Sequence, residues 1–217
     1  MGRYNLLVFD WDGTVVDTVN HIVGAMETAI AAVGLPARTR EQIRGIIGLG
    51  MHEAASTLFP ETDGDLHRRM VGHYSENYLA ATAGNTVLFP GVRETLQQLH
   101  ERGYLLAVAT GKSRRGLERA FTDTGIKELF HASRCADETF SKPHPQMLIE
   151  LMQVMDADPG QTVMIGDSLH DLQMAANANV ASIAVSYGAQ PLHSLLELNP
   201  ATKLDLLGDL PAWLDTQ

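Results

Sequence analysis

The chain has 217 residues, 45% of them hydrophobic, with 26 acidic against 16 basic side chains and a formal net charge of −10. That length holds one large domain or a core with an inserted smaller one, and no apolar run approaches the ~20 residues that cross a bilayer. The acidic balance, without a basic tail, excludes duplex nucleic acid and anionic membrane as expected partners. A single cysteine, Cys135, excludes an intrachain disulfide and reads as a small buried apolar residue in a reducing compartment.

The first strand signal covers residues 5–10, where Leu7–Phe9 run into Asp10-Trp11-Asp12-Gly13-Thr14. The chain enters this strand almost at once, so a cytoplasmic protein without a signal peptide is expected. On an extended backbone residues i and i+2 share a side, so the segment aims two carboxylates at one spot. Such a pair repels unless a cation or a phosphoryl group lies between them; a simple turn would also suit Asp and Gly.

From Asp17 to Pro90 strand signals vanish. Ile22, Val23, Met26, Ile30 and Val33 form a helical stripe that stops at Gly34-Leu35-Pro36. Thr39 and Gln42 have capping-box spacing for a second helix. Leu66, Met70, Tyr74 and Tyr78 sit four apart and predict another. The segment reads as a helical bundle inserted between linkers near Val15–Asp17 and Ala83–Pro90. The expected division is a core of residues 1–15 and 86–217 and a cap of residues 16–85. The loop Gly45–Gly50, apolar and glycine-rich, lies between two of these helices.

Beyond the cap, Val92, Leu96 and Leu99 mark a helix that Gly103 ends. Strands are predicted at 105–110, ending in Thr110-Gly111-Lys112, and at 131–135. Ser141-Lys142-Pro143 precedes a helix marked by Met147, Leu148, Leu151, Met152 and Met155, methionines read as core. A strand at 162–166 runs into Gly166-Asp167-Ser168-Leu169-His170-Asp171, and another covers 181–186. From Pro191 onward the chain is short and mixed, expected to cover one edge of the core. Strands alternating with helices argue for α/β with a parallel sheet. None of the nine histidines forms a metal-ligand pair with a supporting acid.

Four motifs, Asp10-Trp11-Asp12-Gly13-Thr14, Thr110-Gly111-Lys112, Ser141-Lys142-Pro143 and Gly166-Asp167-Ser168-Leu169-His170-Asp171, follow in order, most of them beside an apolar strand. In order and approximate spacing they resemble the haloacid dehalogenase superfamily, subfamily IA, phosphoglycolate-phosphatase-like hydrolases. The resemblance spans nearly the whole chain. It implies a Rossmann-like parallel sheet core with an inserted α-helical bundle cap of the C1 type.

It also implies chemistry. Asp10 would attack phosphorus and form an aspartyl-phosphate. Asp12 would protonate the leaving oxygen and then activate water. Mg²⁺ would be held by Asp10, Asp167 and the Asp12 backbone carbonyl, and Asp171 would reach the metal directly or through water, or hold a neighbouring side chain in place. Thr110 and Lys142 complete the expected catalytic set. Gly13, Thr110, Gly111, Lys112, Lys142 and, from the cap, Gly48 are the expected phosphate or substrate contacts. In this family the cap chooses the substrate, so the resemblance makes the Gly45–Gly50 loop the expected selector, and its apolar, glycine-rich composition favours a compact leaving group. Lys142 could instead be a surface lysine, and Lys112 could face water. Ser168 reads as a helix cap or supporting group. The expected activity is a Mg²⁺-dependent phosphatase, a monomer or homodimer, acting on a small phosphorylated metabolite, with phosphoglycolate first.

The alternatives separate on residues. A phosphomutase like β-phosphoglucomutase would carry a histidine where Ile22 stands, with His21 one place off, and an arginine near Gly48, with Arg44 several residues away. A dehalogenase would lack Asp12. A phosphonatase would need a cap lysine, and Asp17–Phe89 contains none. An inorganic pyrophosphatase shares the motifs. A non-catalytic binding protein on this fold usually loses an acid or the lysine, all of which stand here.

Overall fold

Alternation along the apolar strands assigns each residue to one face of a sheet. Leu7 and Phe9 share one core cluster with Leu106, Val108, Val163, Ile165, Ile183 and Val185, whereas Leu6, Val8, Ala107, Ala109 and Met164 share another. Strands buried on both faces require helices on both. The computed structural model, which describes residues 3–84 and 86–217, has that arrangement.

In chain order the elements are β1 (Leu6–Phe9), α1 (Val19–Ala32), α2 (Arg40–Arg44), α3 (Met51–Leu58), α4 (Gly64–Thr82), α5 (Val92–Glu101), β2 (Leu105–Thr110), α6 (Arg114–Thr124), β3 (Ala132–Cys135), α7 (Gln146–Met155), β4 (Thr162–Gly166), α8 (Leu169–Asn177), β5 (Ala181–Val185), α9 (Leu192–Leu196), β6 (Thr202–Leu204) and α10 (Leu210–Leu214). The strands form one parallel sheet in the order β3-β2-β1-β4-β5-β6. This is the expected α/β Rossmann-like architecture. The residues left as a mixed C-terminal stretch supply β6, which pairs with β5 through Ile183–Thr202 and its neighbours. Three residues with Lys203 at the centre carry too little apolar alternation to signal a strand.

α5, α6 and α10 cover the first sheet face through Leu96, Leu117 and Leu210, and α7 and α8 the second through Met147, Leu151 and Met174. The methionines of α7 are therefore core. Cys135 is buried at the end of β3, and burial pushes its thiol up to about 12, so it stays a thiol.

The four helices α1–α4 share a separate apolar cluster of Val23, Met26, Ile30, Ile43, Ala55 and Met70, among others. α2 begins at Thr39, whose hydroxyl accepts from the Gln42 N–H while the Gln42 side chain accepts from the Thr39 N–H, the reciprocal cap its sequence predicts. The chain leaves and re-enters the sheet side by side: Val16 bridges antiparallel to Leu88, the Asp17 N–H donates to the Val87 carbonyl and the Phe89 N–H to that of Val15. The predicted cap boundary at Asn85, like Met1 and Gly2 of the predicted core, lies outside the described residues.

Candidate active site

β1 is flanked by β2 on one side and β4 on the other, and the chain crosses from the first half of the sheet to the second at this point. In parallel α/β sheets ligands bind beyond the carboxyl ends of strands at such a crossover. Asp10 follows β1, Thr110 ends β2 and Asp167 follows β4. Trp11, between the two acids, turns into the core against Phe121 and Phe130, with ring centroids 5.0 and 6.1 Å away.

Lys142, from the loop between β3 and α7, is buried among carboxylates rather than solvated. Its Nζ lies 2.7 Å from Asp10 Oδ1 and 2.6 Å from Asp171 Oδ1. Asp171 Oδ2 accepts from the Ser168 hydroxyl (2.7 Å) and N–H (3.1 Å), and Ser168 is the N-cap of α8. Both Asp171 oxygens are therefore engaged, which favours its holding Lys142 in place over a free metal ligand. Asp167 accepts from the Thr14 hydroxyl (2.8 Å) and the Ala189 N–H (2.7 Å). A Cβ on Gly13, whose φ is +84°, would lie 2.2 Å from Asp167 Oδ2, so this backbone conformation and approach require glycine.

Asp10, Asp167 and Asp171 each offer a carboxylate oxygen within 4.8 Å of the others. One cation against three acids leaves the group short of positive charge. Burial, then the Asp171 charge, raise the Asp10 carboxyl well above its ordinary range despite Lys142. Burial and Asp171 likewise push Asp167 to about 7. Burial alone would lower the Lys142 ammonium, but the Asp10 and Asp171 charges outweigh it and hold it above the ordinary lysine value. Asp10 Oδ2 is buried without a hydrogen-bond partner among the described residues. An orphaned carboxylate oxygen beside two further acids fits a hard divalent cation such as Mg²⁺, which takes oxygen ligands and would offset the excess charge.

Asp12 stands apart from this cluster. Its Oδ1 accepts from the Thr18 hydroxyl (2.6 Å) and the Tyr78 hydroxyl (3.3 Å) and lies 3.0 Å from Lys112 Nζ. Lys112 also donates to the Tyr78 hydroxyl (2.8 Å) and sits over the Tyr78 ring, 4.5 Å from its centroid. Lys112 is thus neither a solvated lysine nor a free one. Tyr78 comes from α4, so this contact joins the helical segment to the sheet.

The buried Thr110 hydroxyl accepts from the Lys112 N–H at 3.1 Å, which leaves its own proton for another acceptor. At Gly111 a Cβ would lie 2.4 Å from the Leu49 carbonyl oxygen and 2.6 Å from that of Gly48. The close approach that requires glycine here is that of the 45–50 loop. Gly48, at φ +98°, would aim a side chain at Ser168 and His170. The loop is tied down further: the Gly50 N–H donates to Ser141 Oγ (2.8 Å) and the Gly45 carbonyl accepts from His170 Nε2 (2.8 Å). Arg44 is taken up by the Ala189 carbonyl and Asn20. Ile22, not His21, lines the space above Asp10 and Asp12.

That space is a cavity of about 490 Å³ reaching from Asp10, Asp12 and Gly48 past Lys112 to the outer side of α6. Sequence reasoning gave no role to Thr14, Thr18, Tyr78 or Ser141. Thr14 and Ser141 sit inside quoted motifs and could have been found there. Thr18 and Tyr78 reach Asp12 only through tertiary folding.

The model of the haloacid dehalogenase-like hydrolase family matches residues 7–185. The probable phosphatase IndB of Dickeya dadantii is 34% identical over 94% of this chain and 91% of its own length. The phosphoglycolate phosphatase of Agrobacterium fabrum is 32% identical over 92% of this chain and 88% of its own. A crystal structure of a predicted phosphoglycolate phosphatase from Haemophilus somnus superposes with a TM-score of 0.86 at 26% identity, each chain fully covered. The chain belongs to the haloacid dehalogenase-like hydrolases.

Proposed function

We propose that the protein is a Mg²⁺-dependent phosphatase that hydrolyses a small phosphorylated metabolite through a phosphate ester of Asp10. The observation that carries this reading is the asymmetry of Asp10: Oδ1 is held by Lys142 while Oδ2 is buried and unpartnered. One Asp10 carboxylate oxygen attacks phosphorus while the other faces the cations. As the attacking oxygen's bond to phosphorus forms, the bond to the leaving oxygen breaks, and that leaving oxygen takes a proton from Asp12. Water then attacks the phosphorus of the aspartyl-phosphate, Asp12 accepts its proton, and Asp10 is released with inorganic phosphate. Lys142 and the Thr110 hydroxyl stabilise charge on the transferring group. Asp10 and Asp167, with the Asp12 carbonyl, would hold Mg²⁺, which would supply charge neutralisation.

In this reading the chain divides into a catalytic core, near residues 1–15 and 86–217, and a helical cap, near residues 16–85. The separate apolar cluster of α1–α4 and the paired crossings at Val16 and Leu88 support the division. Ile22 in the cavity and Arg44 bound elsewhere favour a hydrolase over a mutase. The names of the relatives favour phosphoglycolate as the first compound to try.

The test separates the two acids. Asp12→Ala should nearly stop hydrolysis of an alkyl phosphate, whose alkoxide leaves poorly without a proton. An activated aryl phosphate should still phosphorylate Asp10, giving a burst of about one equivalent and then little turnover, because water activation is lost. Equal losses on both substrates, with no burst and normal Mg²⁺ affinity, would remove Asp12 from this role.

A further inference from the structure

We propose that the leaving group is an elongated alcohol with a predominantly apolar body, not the two-carbon glycolate. The inference rests on the phosphatase reading and narrows its substrate.

The cavity has about 490 Å³, within the ~300–1,000 Å³ of clefts that enclose ligands far larger than glycolate. It is continuous with the reaction site, because Asp10 and Asp12 line the same space. Its length follows from α6. The cavity is lined along that helix from Arg115 to Asp123, and eight steps at the helical rise extend about 12 Å.

The wall facing the leaving group is mostly apolar, with Ser75, Tyr78, Thr82 and Lys112 as polar members. Ile22 comes from α1, Leu49 from the loop before α3, Val71, Tyr74 and Leu79 from α4, and Ala120 from α6. A glycolate carboxylate, one methylene from the ester oxygen, would need a cation near the phosphate. Lys142 is held by Asp10 and Asp171, and Lys112 by Asp12 and Tyr78. None of the cap residues that line the cavity is a lysine or an arginine. Arg115 and Arg119, both exposed, lie along α6 at the outer margin, with Asp123 beside Arg119. An apolar body with a polar outer end matches this order of surfaces.

A series of n-alkyl phosphates from ethyl to hexyl tests the idea, since leaving-group reactivity hardly changes while apolar length grows. Phosphate release is measured for the series, for phosphoglycolate and for p-nitrophenyl phosphate. We expect kcat/KM to rise about threefold to fourfold per methylene, the factor for burying one CH2 group, and hexyl phosphate to exceed phosphoglycolate. Leu79→Asp, checked for folding by its melting curve, should flatten that rise; if it fails to fold, the wild-type series decides. A flat or falling series, or phosphoglycolate ahead of every alkyl phosphate, overturns the inference and leaves the phosphatase reading standing. No release from p-nitrophenyl phosphate overturns both.

Discussion

Lys142 shows how one side chain changes meaning with its surroundings. A lysine in a loop is ordinarily solvated, but here it is the only cation touching Asp10 and Asp171 among the described residues. Lys142→Ala should lower kcat by ~10²–10³, the usual loss for one electrostatic stabiliser. It should also destabilise the fold, since removing one partner of a buried ion pair typically costs about 3–5 kcal/mol. Steady-state kinetics and urea unfolding read the two effects separately, and a change in kcat below about threefold would deny Lys142 its catalytic place. Asp10→Asn keeps the shape and loses the nucleophile, so turnover should vanish while the melting curve remains cooperative. Substantial residual turnover with metal bound would move the nucleophile elsewhere.

At the scale of elements, the site depends on two close approaches and one bridge. Gly13 lets the turn after β1 reach Asp167, and Gly111 lets the loop after β2 reach the carbonyls of the 45–50 loop. Gly13→Ala should weaken Mg²⁺ binding, seen by calorimetry, because its Cβ would displace Asp167. Gly111→Ala should instead push the 45–50 loop away and raise KM, with metal affinity little changed. The opposite pattern would exchange the roles of these two glycines. The bridge is Tyr78, the residue of α4 that meets both Asp12 and Lys112. Tyr78→Phe keeps the ring under the Lys112 ammonium and removes the hydroxyl, so kcat should fall for alkyl phosphates more than for activated aryl phosphates. A uniform loss on both substrates would make Tyr78 a packing residue.

The whole molecule carries the strain of its buried acids as a dependence of stability on pH. Asp167 binds its proton up to about pH 7 in the folded state, against an ordinary value of 3.8, and Asp10 shifts in the same direction. Between these values the folded state holds more protons than the unfolded, so stability falls as pH rises. Carboxyls with lowered values, such as Glu118 and Glu138, act in the opposite sense but titrate below their ordinary 4.5. In EDTA the melting temperature should therefore decline from pH 5 to 7.5, and Mg²⁺ should offset the decline by binding the ionised cluster. A melting temperature that rises across this window in EDTA, or ignores Mg²⁺ at pH 7.5, contradicts the charge assignment.

The residues that gather at the candidate site were legible in the sequence because each motif is local. Asp10 and Asp12 share a side through strand geometry, and Asp167 through Asp171 span one strand-to-helix junction whose cap is written in Ser168 and Asp171. Five strands and the helices α1, α4, α5 and α7 were legible because their apolar pattern follows the backbone repeat, and α2 because its capping box is local. β6 was not, because an edge strand of three residues buries too little to show a pattern. Only tertiary structure decided what Lys112 and Asp171 hold, because their partners are 100 and 29 positions away. It also decided that Gly111 answers to the 45–50 loop and that the space above Asp12 is walled by Ile22, Leu49 and residues of α4 and α6. Short-range spacing in the sequence supplies the candidate groups. The volume and lining of the chamber that receives them come from packing α4 against the sheet domain, which no local pattern encodes.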